Sequence, residues 1–203
     1  IISAMGHHSN IVPWQMLCDK TGAKLKVIPI NNDGTLNLDE YKSLLNPNVK
    51  FVFVNHVSNT LGTINPIEYI IELAHKNNSQ VLVDGAQGAA HIKTNLIDLN
   101  VDYYVASAHK LCGPTGVGFL YGKSKLLESL PAYQGGGEMI STVTFDKTEY
   151  AELPHKFEAG TPNIAGVIGF GVALDYMNSI GFENIENHER ELLDYATENL
   201  KKI

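Results

Sequence analysis

Asp84 and Lys110 are the pair of residues in this sequence with the clearest chemical use. Each ends a mostly apolar run, Gln80 to Val83 in one case and Asp102 to Ala106, followed by Ser107-Ala-His-Lys, in the other. Their separation of 26 residues is close to the roughly 30 of a strand–crossover–strand unit. In open α/β sheets ligands bind beyond the carboxyl ends of the strands, so both side chains are expected on one rim. A carboxylate and a lysine on one rim suit a pyridine aldehyde cofactor. The lysine forms a Schiff base, and the carboxylate keeps the ring nitrogen protonated so that the ring accepts electrons. The amine works only when neutral, which partial burial and a neighbouring cation such as His109 favour. Ser107 and His109 can donate to a phosphate, Gln87 can reach a ring hydroxyl, and Asn55 to Asn59 follow a further strand. Taken singly, Asp84-Gly85 reads equally well as a strand-ending turn, Lys110 as a solvated lysine and His109 as a structural histidine. The weight lies in the combination.

The elements that must position these residues alternate in character. Asn10 to Thr21 reads as a helix, with Ser9 or Asn10 as its cap, Pro13 in its first turn and Gly22 as its stop. Leu25 to Ile30 is strand-like, Asn32-Asp33-Gly34 is a turn, and a short helix follows with Leu38, Tyr41, Leu44 and Leu45 on one face. Val49 to Val54 is a strand, and Ile67, Ile70, Ile71 and Ala74 mark an amphipathic helix. Strands separated by helices predict an α/β fold, a mainly parallel sheet covered on both faces. Val117 to Tyr121 follows its predecessor after only a short loop, too little for a parallel crossover, so it is expected to be antiparallel or to lie elsewhere, and the sheet to be mixed. Gly135 to Pro162 reads as loops with a hairpin, Ile164 to Ile180 as a buried helix, and Glu183 to Lys202 as an amphipathic helix using Leu192, Leu193, Ala196 and Leu200.

The sequence has 203 residues, 22 acidic against 15 basic, and a net charge of −7. Without a basic cluster, no nucleic-acid partner and no anionic membrane surface are expected. No apolar run reaches the roughly 20 residues a bilayer demands. Two cysteines, Cys18 and Cys112, make no disulfide framework, and a reducing cytoplasm is expected. Val117 to Ser124 approaches a phosphate-loop pattern but lacks its first glycine, and nucleotide binding is rejected. No metal site is predicted. Ile1-Ile2 reads as the tail of a strand and the last residues fall in or just after a helix, so an internal piece of a longer chain is expected.

Val81-Leu-Val-Asp-Gly-Ala-Gln87 and Ser107-Ala-His-Lys-Leu-Cys-Gly-Pro-Thr-Gly116 resemble the two signature blocks of cysteine desulfurases, class V aminotransferase relatives of pyridoxal-phosphate fold-type I. His7-His-Ser-Asn-Ile-Val-Pro-Trp14, His56-Val-Ser-Asn-Thr-Leu-Gly62 and Phe157-Glu-Ala-Gly-Thr-Pro-Asn163 match in order, and Gly135-Gly-Gly-Glu-Met-Ile140 is most similar to the SUF branch. The resemblance implies pyridoxal 5'-phosphate held on Lys110, with Asp84 on the ring nitrogen and Gln87 on the ring oxygen. It places His7 on the ring face, Asn59 beside ring and substrate, and Ser107 and His109 on the phosphate. Thr161 would reach the phosphate of a partner subunit's cofactor in a homodimer, and it also reads as the cap of the following helix. Lys110 and His7 are the implied catalytic residues. The implied reaction takes L-cysteine to L-alanine, with sulfur passed as a persulfide to an acceptor protein of the SUF system for iron–sulfur cluster assembly. Selenocysteine lyase, cysteine-sulfinate desulfinase, another class V enzyme, or an inactive scaffold subunit are the alternatives. Residues 1–180 would be the cofactor domain without its first part, and 181–203 a helix leading to a small domain that carries the nucleophilic cysteine and the substrate arginine. Cys112, two residues from Lys110, is read as structural.

Overall fold

The computed structural model describes residues 1–203. Six strands form one sheet: β1 (Ile2–Ser3), β2 (Val27–Ile28), β3 (Phe51–Asn55), β4 (Gln80–Asp84), β5 (Tyr103–Ser107) and β6 (Gly118–Gly122), in the order β2-β1-β3-β4-β5-β6. The first five run parallel and β6 is antiparallel to β5. The short connection forces that reversal, as expected: it turns at Gly116 with φ 75° and leaves no length for a crossover. β2 is shorter than the apolar run from Leu25 suggested, because Val27 lies exposed and only Ile28 is buried.

Helices α1 (Val12–Thr21), α2 (Leu38–Leu44), α3 (Ile67–Lys76), α4 (Gly88–His91), α5 (Ser124–Ser129), α6 (Ile164–Ile180) and α7 (Phe182–Leu200) connect and cover the strands. In α3 the four apolar positions at helical spacing are all buried, which fixes that helix on the sheet. Residues 140–150 form the expected hairpin, β7 (Ile140–Val143) paired antiparallel with β8 (Thr148–Tyr150).

Three expectations are corrected. Helix α6 is apolar nearly all round yet buries only Gly166, Phe170, Ala173 and Met177, while Val167, Ile168 and Val172 are exposed. One face is enough to pack on the sheet side, and nothing within these residues covers the other. In α7, Leu192, Leu193 and Leu200 are likewise exposed; the helix is held instead by Phe182, Ile185 and a contact of 2.6 Å between His91 and Glu189. Neither Ser9 nor Asn10 caps α1. His7 caps a 3-10 turn over His8–Asn10 by accepting from Ser9 N, and α1 starts after Ile11 without a side-chain cap.

Register decides where the chemistry falls. Asn55 sits beside Asp84, and Asp84 beside Val105, so β3 and β4 end level while β5 runs two residues further to Ser107. A 3-10 turn over Ala108–Lys110 then folds across the rim, tied by Ala108 N donating to the Val117 carbonyl at 3.0 Å. No single helix is long and apolar enough to cross a membrane.

Candidate active site

A cleft of about 640 Å³ opens at the carboxyl ends of β3, β4 and β5, within the range of small-molecule sites. His7, Asn59, Asp84, Gln87, Ser107, His109 and Lys110 all line it. Thr161 does not; it is exposed beyond Gly160, and the cap of α6 is Asn163, whose Oδ1 accepts from Gly166 N at 3.0 Å. The cap reading of Thr161 is therefore corrected: Asn163, directly before the first helical residue, outcompetes it.

Asp84 is half-buried, and each of its oxygens has a donor. Oδ2 accepts from Asn10 Nδ2 at 2.5 Å and Oδ1 from Ala86 N at 2.8 Å. The turn after Asp84 is tight. A Cβ on Gly85 would lie 2.0 Å from Tyr104 Cζ, and one on Gly88 would lie 2.5 Å from His56 Nδ1. Glycine at both positions lets the carboxylate and Gln87 sit against buried rings. Burial pushes the Tyr104 phenol up to about 12, helped by the nearby Asp84 charge.

His7 is held by its neighbour. Ser9 N donates to Nδ1 at 3.2 Å, with Ser9 Oγ 2.9 Å from the same atom. The backbone donor makes Nδ1 an acceptor, so the neutral ring carries its proton on Nε2. Lys110 is half-buried and its Nζ makes neither an ion pair nor a hydrogen bond. Ser107 and His109 flank it on the same rim.

Asn10, Trp14 and Asn55 also line the cleft, and sequence gave none of them a part in the site. Asn10 reads as a helix cap, and its true partner lies 74 residues away. Trp14 stacks on Phe53 with ring centroids 3.7 Å apart and 16° between planes. Asn55 is 3% exposed, with neither amide atom hydrogen-bonded. The strand-end position of Asn55 was the one available signal.

These residues fit pyridoxal phosphate. A free amine, an anchored carboxylate, hydroxyl and imidazole donors and an unpartnered buried amide converge on one concave site. Cys112 lies outside the lining, exposed and at φ 58°.

Comparison with known proteins agrees with this site. The aminotransferase class-V family matches residues 1–203. A cysteine desulfurase of Cronobacter sakazakii is 51% identical over the whole chain, which covers 50% of that protein. The crystal structure of the cysteine desulfurase CsdA from Escherichia coli superposes with TM-score 0.97 at 40% identity, over 100% of this chain and 51% of its own. The cysteine desulfurase of Thermococcus onnurineus NA1 gives 0.94 at 36% identity, over 99% and 50%. The chain thus spans about half the length of the relatives it matches. With its sheet, its rim residues and these relatives in agreement, the chain belongs to the class-V aminotransferase family.

Proposed function

We propose that this chain is the cofactor-holding part of a cysteine desulfurase, which takes L-cysteine to L-alanine and passes the sulfur on. The observation that carries the reading is the convergence of Lys110 and Asp84 with Gln87, Ser107 and His109 on one cleft. Cysteine desulfurases of this family depend on pyridoxal phosphate. When bound, that group would supply an electron-accepting ring.

The chain's own residues divide the remaining work. Lys110 Nζ, free of any other partner, would be the residue that holds the group covalently and would carry protons beside it. Asp84, oriented by Asn10 and Ala86, holds a proton on the ring nitrogen. Gln87 addresses the ring oxygen, and Ser107 and His109 the phosphate. His7 would lie against the ring face, with its Nε2–H, set by Ser9 N donating to Nδ1, available as a proton donor on that side. Asn59 sits at the substrate end of the cleft. Thr161, away from this cleft, serves the site of a partner subunit in a homodimer.

The finer assignments follow the same reading. The sulfur acceptor is a protein of the SUF system, supplying iron–sulfur cluster assembly in the cytoplasm. Residues 1–180 form the cofactor domain, with the boundary at Gly181 (φ 84°) before α7.

Incubation with pyridoxal phosphate, borohydride reduction and peptide mapping tests the reading, with circular dichroism to establish folding. Selective labelling of Lys110 is expected. A folded protein labelled nowhere, or diffusely on surface lysines, would refute it.

A further inference from the structure

Asn65 and Pro66 lead into α3, and that helix begins without a side-chain cap, although an asparagine at its threshold is a residue type suited to capping. The Asn65 side chain turns back to the sheet instead. Its Nδ2 donates to the Asn55 carbonyl at 2.8 Å and to Met5 Sδ at 3.3 Å, and its backbone N–H donates to the His56 carbonyl at 2.9 Å. The residue is 2% exposed, and its Oδ1 is buried without a partner. Between His56 and Asn65 the chain makes a tight loop. Val57 and Ile64 bridge antiparallel, Ser58 N donates to the Thr63 carbonyl at 2.9 Å, and the buried Ser58 Oγ accepts from Thr60 N at 3.3 Å and Leu61 N at 3.2 Å. Asn59 sits on this loop, exposed and lining the cleft, with no hydrogen bond to its own side chain. Its place is set by the loop, and the loop's place by its ends.

We propose that Asn65 is a positioning residue for Asn59, fixing the loop of residues 57–64 to the end of β3 through the Asn55 and His56 carbonyls. The inference rests on the cofactor reading above, which puts Asn59 at the substrate end of the cleft. The bonds inside the loop hold it together as one piece, so its orientation is decided where it joins the sheet. Its first end continues from β3, whose last residue, Asn55, pairs with Asp84. Thr63 Oγ1, donating to the Gly34 carbonyl at 2.9 Å, tethers the loop on one side. The two Asn65 bonds tether it on the side of Asn55, which lines the cleft. With both Nδ2 hydrogens bonded, the amide is pinned. Packing alone does not account for an asparagine here, because a buried amide with an unpaired oxygen destabilises the fold while α3 forgoes a cap.

The test uses the protein from its complete reading frame, loaded with pyridoxal phosphate, in a double-mutant cycle of Asn65→Leu with Asn59→Ala. The dissociation constant of L-alanine is read from the change in cofactor absorbance on titration. Asn65→Leu removes the amide at nearly constant volume. It is expected to weaken L-alanine about tenfold in the parent, but by less than about twofold where Asn59 is already replaced. Circular dichroism checks that each variant is folded, and Asn65→Ser carries the same comparison if the Leu variant is not. Equal weakening in both backgrounds would mean that Asn65 merely packs, and no weakening in the parent would mean that the loop holds without it. Either result overturns the inference while a parent labelled on Lys110 leaves the cofactor reading intact. A parent without that label overturns both.

Discussion

Replacing Asp102 tests whether the fold is held at the end of the sheet away from the cleft. Its carboxylate has 7% side-chain exposure and accepts three hydrogen bonds: Val81 N at 2.8 Å, His75 Nε2 at 2.8 Å and Lys123 Nζ at 2.7 Å. It thereby ties α3, β4 and the segment after β6 to the start of β5. Burial pushes this carboxyl up, but the hydrogen bonds from Lys123, His75 and Val81 outweigh burial and hold it below its usual 3.8. Asp102→Ala strands the Val81 N–H in the core, at a cost of about 1–3 kcal/mol. The Lys123 ammonium is 33% exposed, so after solvent screening its lost pairing adds at most about 1 kcal/mol. A total loss of about 1–4 kcal/mol follows, read by urea denaturation as a lower midpoint with unchanged slope. A depressed carboxyl stabilises above its unfolded-state value and loses that stabilisation as pH falls through the folded value. The gap between parent and Asp102→Asn must therefore shrink below pH 3.8. An Ala variant within about 0.5 kcal/mol of the parent, or a gap constant through the acid range, would refute this account.

Three further outcomes are expected. His56 is 4% exposed, and burial holds its ring below the usual 6.5 against a weaker pull from Glu68. Its folded-state value is depressed, so stability is complete above 6.5 and declines as pH falls below it; thermal melts should show this decline in the parent and a flatter profile in His56→Gln. Gly85→Ala would place a methyl 2.0 Å from the buried Tyr104 ring and should cost at least about 2 kcal/mol, while the same change at the open Gly171 should cost nothing of that kind. Asn10→Ala removes the 2.5 Å donor to Asp84 and should weaken pyridoxal phosphate about tenfold, measured by equilibrium dialysis.

Much of this arrangement was legible from local pattern. The β-branched and aromatic run through Phe51–Asn55 and the run through Gln80–Asp84 gave strands whose ends had to be a rim, and seven of the eight site residues read from the sequence line the cleft there. Loop length excluded a parallel β6, and the pairing of β6 with β5 selects the antiparallel of the two options it left. What was illegible depended on distant partners. Asn10 looks like a cap because nothing within a few residues reveals Asp84. Burial of α6 was overread because an all-round apolar helix specifies no side, and only its contacts choose Phe170, Ala173 and Met177. Thr161 and Asn163 are both good capping residues, and the actual start of the helix at Ile164 selects the second.

The distribution of unpaired polar groups gives the sheet a direction. At the amino end of β5, Asp102 is saturated with donors. At the carboxyl end, the buried side-chain atoms lacking a partner gather: Trp14 and Asn55 line the cleft, His56 follows β3, and Asn65 binds the Asn55 carbonyl while its own Oδ1 stays free. Folding alone would favour the opposite, since each such group weakens the native state. Of these residues Trp14 and Asn55 line the cleft itself, and their unpaired polar atoms are the ones a group bound beside Asp84 could complete.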